Sequence, residues 1–188
     1  MTVLRPGLLD GRAIALAGGP APAVARSLAG LGAALDQVDL ALGEDGVKDW
    51  AAGAAPLHAL VYDAGPAFAG GGQTRLQLAL EEAWIATRGV ATGALIPGGA
   101  GKVLLIAPRP GGGSFAAAAR AGLENLARTL SVEWARHGVT TVALAPGART
   151  SDEELAELVS FLVSPAGEYF SGCLLELGVG SDSLLRTS

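Results

Sequence analysis

Short, nearly continuous apolar runs alternate along this chain with longer stretches in which apolar residues return every third or fourth position. The first rhythm is that of strands buried on both faces, the second that of helices with one core-facing stripe. The clearest helical stretch is 114–138, SFAAAARAGLENLARTLSVEWARHG, where Phe115, Ala119, Leu123, Leu126, Leu130 and Trp134 form a single stripe. Ser114 is placed to cap its start, and Gly138 to supply the left-handed residue at its end. A second stripe of small residues, Ala117, Ala118, Ala121 and Gly122, would let another helix come close. Val139–Ala145, VTTVALA, reads as the strand that follows.

The same alternation runs through the rest of the chain. Gly11–Ala17 reads as a strand, GGPAPA as a turn and 23–35 as a helix. A second strand is expected over 34–40, and a weaker helix containing Trp50 over 42–55. Leu57–Tyr62 is a buried strand ending in Asp63-Ala64-Gly65. After a glycine-rich loop, Thr74 is placed to cap a helix reaching about Leu95, where Pro97 and its glycine neighbours stop it. Strand 102–107 leads into Pro108-Arg109-Pro110 and a run of glycines. Ser151-Asp152-Glu153-Glu154 has the form of a capping box and opens a helix to about Val163. Cys173–Leu177 reads as the last strand. Strands alternating with helices predict an α/β fold: one Rossmann-like domain over 1–188, with a doubly wound parallel sheet of about six strands and helices on both faces.

Composition narrows the partners. With 188 residues, half of them hydrophobic, the chain can bury one sizeable core. A net charge of −5 and two lysines, Lys48 and Lys102, argue against nucleic acid. The lone Cys173 leaves no internal disulfide and no multi-cysteine metal site, and nothing has metal-ligand spacing. No apolar run reaches the roughly 18 residues of a membrane span, and MTVLRPGLLDGR lacks the apolar run of a secretory signal. A soluble cytoplasmic protein is expected. Only 16% of residues are charged and mean hydropathy is +0.41, so part of the apolar surface is expected to be covered by another subunit.

RAGLENLARTLSVEWARHGVTTVALAPG resembles the active-site helix and following strand of the short-chain dehydrogenase/reductase family. LLDGRAIALAGGPAPAVARSLAGLGAAL resembles that family's first strand and nucleotide-binding turn, and Asp63-Ala64-Gly65 its Asn-Asn-Ala-Gly turn. The resemblance covers most of the chain. It implies that one strand–helix unit is fused away within AALDQVDLALGEDGVKDW, and that the substrate lid expected between Pro146-Gly147 and Ser151 is missing.

The resemblance also implies a set of site positions. Of the three glycines in the family's cofactor turn, the first falls on Gly18, while Pro22 and Val24 stand at the other two. Proline removes an N–H where phosphate would be cradled, and valine blocks close approach. Asp36 or Asp39 is placed to hold a ribose hydroxyl, or is an ordinary strand-end carboxylate; Asp63 stands for an asparagine lining the cofactor. The catalytic Tyr position is Ala116 and the Lys position Arg120, which can pair with Glu124. The Ser position falls near Ala107 and Pro108, the supporting Asn near Ala79, and Pro146-Gly147 matches the turn near the nicotinamide. Alanine cannot donate a proton, so no catalytic, cofactor-binding or metal-binding residue is assigned, and NAD(P) is left as a possibility against a degraded motif. Tyr62 and His58, flanking a strand where active sites lie, Tyr169, Ser114 and His137 are the remaining chemistry-bearing candidates, with capping or surface roles as the alternative.

Helices 74–95 and 115–137 resemble the family's dimerisation pair, and GCLLELG its second interface. The expectation is a catalytically inactive subunit that joins an active short-chain dehydrogenase/reductase in a hetero-oligomer, a heterodimer or heterotetramer. The alternatives are a divergent NAD(P)-dependent oxidoreductase using Tyr62 or Tyr169, and a homodimeric ligand-binding protein.

Overall fold

The computed structural model describes residues 4–54 and 56–178. Six parallel strands form one sheet in the order β2-β1-β3-β4-β5-β6. They are β1 (Ala13–Ala17), β2 (Ala34–Gln37), β3 (Ala59–Asp63), β4 (Gly101–Ile106), β5 (Val139–Ala145) and β6 (Cys173–Glu176). The helices are α1 (Pro22–Gly30), α2 (Gly43–Ala54), the single turn α3 (Gly65–Phe68), α4 (Gln73–Val90), the short α5 (Ile96–Gly98), α6 (Ala116–Trp134) and α7 (Asp152–Val163). The expected parallel, doubly wound α/β sheet is present. Ala55, the last residue of the second expected helix, lies outside the described residues.

Alternation along each strand feeds two cores. Ile14, Leu16, Val61, Leu104, Ile106, Val142 and Leu144 face α1 and α7. Ala15, Leu60, Tyr62, Val103, Leu105 and Ala143 face α2, α4 and α6. The doubled apolar runs seen in the sequence thus reflect burial on both sheet faces. The α4 and α6 helices approach closely at Gly122, where a Cβ would come within 2.8 Å of Leu80. That confirms one member of the small-residue stripe as a packing device; Ala117, Ala118 and Ala121 are exposed.

Several local expectations are corrected. The first helix stops at Gly30, not 35, because Gly32 turns left-handed (φ +100°) and sends the chain into β2. The second strand stops at Gln37: the Asp39 side chain accepts from the Ala41 N–H at 3.0 Å and caps a 3-10 turn, Leu40–Leu42. Thr74 does not cap α4, whose N-cap is Gly72 with no side-chain bond, and Ser114 does not cap α6, whose N-cap is Phe115. Phe115 consequently leaves the core stripe and is exposed. The α4 helix continues through a π turn at Ala91–Leu95 into α5. The capping box is as expected: Ser151 Oγ accepts from the Glu154 N–H, and the Glu154 carboxylate accepts from the Ser151 N–H at 2.8 Å. Gly138 ends the 3-10 extension of α6 at φ +69°.

Candidate functional site

The chain leaves β1 toward β2 on one side and takes up β3 on the other, so the crevice beyond the carboxyl ends of β1 and β3 is the sheet's switch point. Open α/β sheets hold their ligands there. A cavity of about 370 Å³ lies at this edge, lined by Gly19, Ala21, Asp63, Pro108, Arg109 and Pro146 among others. Gly18 makes the first turn possible: its φ is +75°, and a Cβ there would run into the Asp63 carbonyl. Pro22 opens α1 at its first position, and Val24 is buried among the residues between α1 and the sheet.

The Asp63 carboxylate accepts from the Gly65 N–H at 2.8 Å. Burial pushes its pKa up to about 6, against the pull of the Gly65 and Ala21 N–H groups and of Arg109. Its neighbour Tyr62 is fully buried under α4 and donates its hydroxyl to the Ala79 carbonyl at 2.8 Å. Burial, with Glu82 and Asp63 adding to it, drives the phenol well above its ordinary pKa. Tyr62 is therefore a packing residue of the α4 face.

Two arginines bind the loops at this end of the sheet. Arg120, on α6 at the Lys position, donates to the Pro146 carbonyl at 3.0 Å, the Pro108 carbonyl at 3.3 Å and Glu176 at 3.4 Å. It does not pair with Glu124, as the spacing suggested. Glu124 meets Arg128 at 2.6 Å instead, because the Arg120 side chain turns inward to the loop carbonyls after β4 and β5. Arg109 donates to the carbonyls of Gly147 and Thr150 and to Asp152 at 2.7 Å. Thr150 Oγ1 accepts from the Gly147 N–H at 2.9 Å, which closes the turn between β5 and α7. Sequence reasoning missed Arg109, although it stands between two prolines directly after a buried strand. That placement was the available signal.

The other candidates lie elsewhere. His58 sits at the amino end of β3, opposite the crevice, so its expected place at the active edge is corrected. Its Nδ1 accepts from the Ala13 N–H at 3.0 Å, and burial and Arg12 lower its pKa. Tyr169 is exposed in the segment leading into β6, also at the amino end. His137 lies in the 3-10 turn after α6, and Asp36 is exposed on edge strand β2. Ala116 is buried at the Tyr position, and no side chain at Ala107 or Pro108 supplies a hydroxyl. Among the described residues no cluster of three metal-ligating side chains occurs, and no helix is long and apolar enough to cross a membrane.

A dinucleotide, the ligand such a crevice takes in its fold class, does not fit these residues. Its pyrophosphate would meet Pro22, which has no N–H, and the buried Asp63 carboxylate.

No protein-family model matches the chain, and no curated protein matches it. Solved structures do. A citronellol catabolism dehydrogenase (AtuB) of Pseudomonas aeruginosa is 26% identical, with a TM-score of 0.75 over 93% of this chain and 96% of that one. A putative NAD(P) dependent gluconate 5-dehydrogenase of Beutenbergia cavernae, solved with NADP at low occupancy, is 24% identical (TM-score 0.73; 92% and 97%). A short-chain dehydrogenase/reductase of Serratia marcescens is 20% identical (TM-score 0.71; 90% and 97%). The six-stranded parallel sheet with helices on both faces is the fold of the short-chain dehydrogenase/reductase family.

Proposed function

We propose that this chain is a non-catalytic subunit that joins an active short-chain dehydrogenase/reductase through helices 74–95 and 115–137 and supports its structure. The observation that carries the reading is the pair Ala116 and Arg120. The proton donor is replaced by a buried methyl, and the cation beside it is committed to the Pro146 and Pro108 carbonyls. The two helices meanwhile keep their length and leave Trp84 and Val132 exposed. Large apolar side chains held at a surface are what an interface consumes. Native mass spectrometry of the protein from its own cells tests this. A mixed mass with a second, longer dehydrogenase is expected. A homo-oligomer alone overturns the reading; bound dinucleotide in it would then favour a divergent oxidoreductase, and an empty one a ligand-binding dimer.

A further inference from the structure

We propose that the Asp63 carboxylate is the internal occupant of the crevice between β1 and β3, holding the start of α1 where a ligand phosphate would sit and excluding phosphate-bearing ligands. The inference deepens the reading of the chain as a subunit without cofactor chemistry, and names a residue that contributes the charge barrier to that property.

The geometry is a closed local circuit. Asp63 ends β3, and one carboxylate oxygen takes the Gly65 N–H at 2.8 Å. The Ala21 N–H also favours the ionised form; Ala21 is the N-cap of α1, and the next residue, Pro22, has no N–H to offer. The side chain thus draws on the donor that α1 would turn toward an anion. The absence of a Cβ at Gly18 lets the β1 turn sit on the Asp63 backbone carbonyl, so the turn and the end of β3 are held together.

The surrounding charges do not neutralise this carboxylate. Arg109, from the loop after β4, faces it but is committed to Asp152, Gly147 and Thr150. Asp152, from the start of α7, adds a like charge. The residues that the first turn and α3 place on the cavity wall, Gly19, Ala21, Gly65, Pro66 and Phe68, carry no charge. An incoming phosphate therefore meets a buried negative charge in a poorly screened site. Because burial lifts Asp63 to about 6, that barrier falls away on mild acidification.

The test is calorimetric titration of the full chain with NAD+, whose bridging pyrophosphate does not titrate between about pH 5 and about pH 8. Wild type is compared with Asp63→Asn across that range. The amide keeps an acceptor for the Gly65 N–H, so the turn survives the change. At about pH 8, Asp63→Asn should bind at least about tenfold more tightly, and its affinity should not change with pH. Wild type should gain affinity as pH falls through about 6 and approach the variant. The wild-type profile needs no variant. Equal affinities at high pH, a wild-type profile unchanged in Asp63→Asn, or no binding by either protein at any pH overturns the assignment. None of these results bears on whether the chain enters a mixed assembly, which is read by mass, so the two proposals fail separately.

Discussion

The Arg120 guanidinium donates to the Pro146 carbonyl at 3.0 Å, tying the second turn of α6 to the loop after β5. A second bond to Pro108 and an ion pair with Glu176 make it a three-way tie between the loops after β4 and β5 and the end of β6. Arg120→Ala should lower unfolding stability by about 1–3 kcal/mol, the usual consequence of leaving carbonyls without their charged donor. Arg120→Lys keeps the charge without the fork and should lose an intermediate amount. Urea midpoints measure both. An Arg120→Ala protein as stable as wild type would show that the tie carries no load.

Tyr62 and Ala79 make the second test. The hydroxyl is fully buried, and its partner is the α4 backbone at 2.8 Å. Tyr62→Phe removes the donor and keeps the ring, while the Ala79 carbonyl, inside α4, keeps its helical partner, so stability should fall by about 0.5–1.5 kcal/mol. Association with any partner should be unchanged. A Tyr62→Phe protein that kept its stability but lost a carbonyl-reducing activity would revive the phenol as a proton donor.

How legible was this in the sequence? Strand β5 and helix α7 were readable to the residue, because VTTVALA is a bounded apolar run and Ser151 and Glu154 form a reciprocal cap. Both signals are local. The caps assigned to Thr74 and Ser114 failed because glycines just upstream, Gly72 and Gly113, set the approach of the chain before either hydroxyl could reach a helix N–H. The absent Tyr and Lys were visible as Ala116 and Arg120. The destination of Arg120 was not: its partners come from residues 108, 146 and 176, and only the sheet order brings them together. Asp63 was legible as an unfavourable charge, but its burial beside the first turn and its bond to the Gly65 N–H depend on how β1 and β3 come together.

Asp63 also makes stability depend on pH. Its pKa is raised from 3.8 to about 6, so its favourable contribution is complete below the unfolded value and is lost as pH rises through about 6. Keeping it ionised inside the fold above that pH costs roughly 3 kcal/mol. Asp63→Asn should therefore be more stable than wild type at neutral and alkaline pH by up to about that amount, with the difference closing toward about pH 4. Urea unfolding of both proteins at several pH values measures the gap. A gap independent of pH would mean the carboxyl is not the titrating group.

Thr87, on α4, has a buried hydroxyl with no partner among the described residues. Replacing such a group with an isosteric methyl removes a desolvation cost and no bond. Thr87→Val should leave stability unchanged or raise it by up to about 1 kcal/mol. A loss of more than about 1 kcal/mol in thermal or urea unfolding would mean that the hydroxyl is satisfied in solution.

Trp84 is the residue on which the proposed assembly turns. Its indole N–H donates to Glu44 at 3.1 Å, Arg88 stacks on the ring at 5.5 Å, and Arg88 and Glu44 pair at 2.9 Å. An indole 42% exposed yet held on two sides is already ordered before any partner arrives, which reduces the entropy lost on association. Trp84→Ala should weaken hetero-assembly by about 2 kcal/mol or more while changing the unfolding midpoint little. Leu130 is no substitute probe, because it is buried in the core, and Leu130→Asp would unfold the chain before it tested a surface. Leu126, only partly buried against the same core, is the better companion on α6. If Trp84→Ala and Leu126→Asp both fold and both retain the mixed mass, the contact lies away from α4 and α6, and the C-terminal strand becomes the next surface to test.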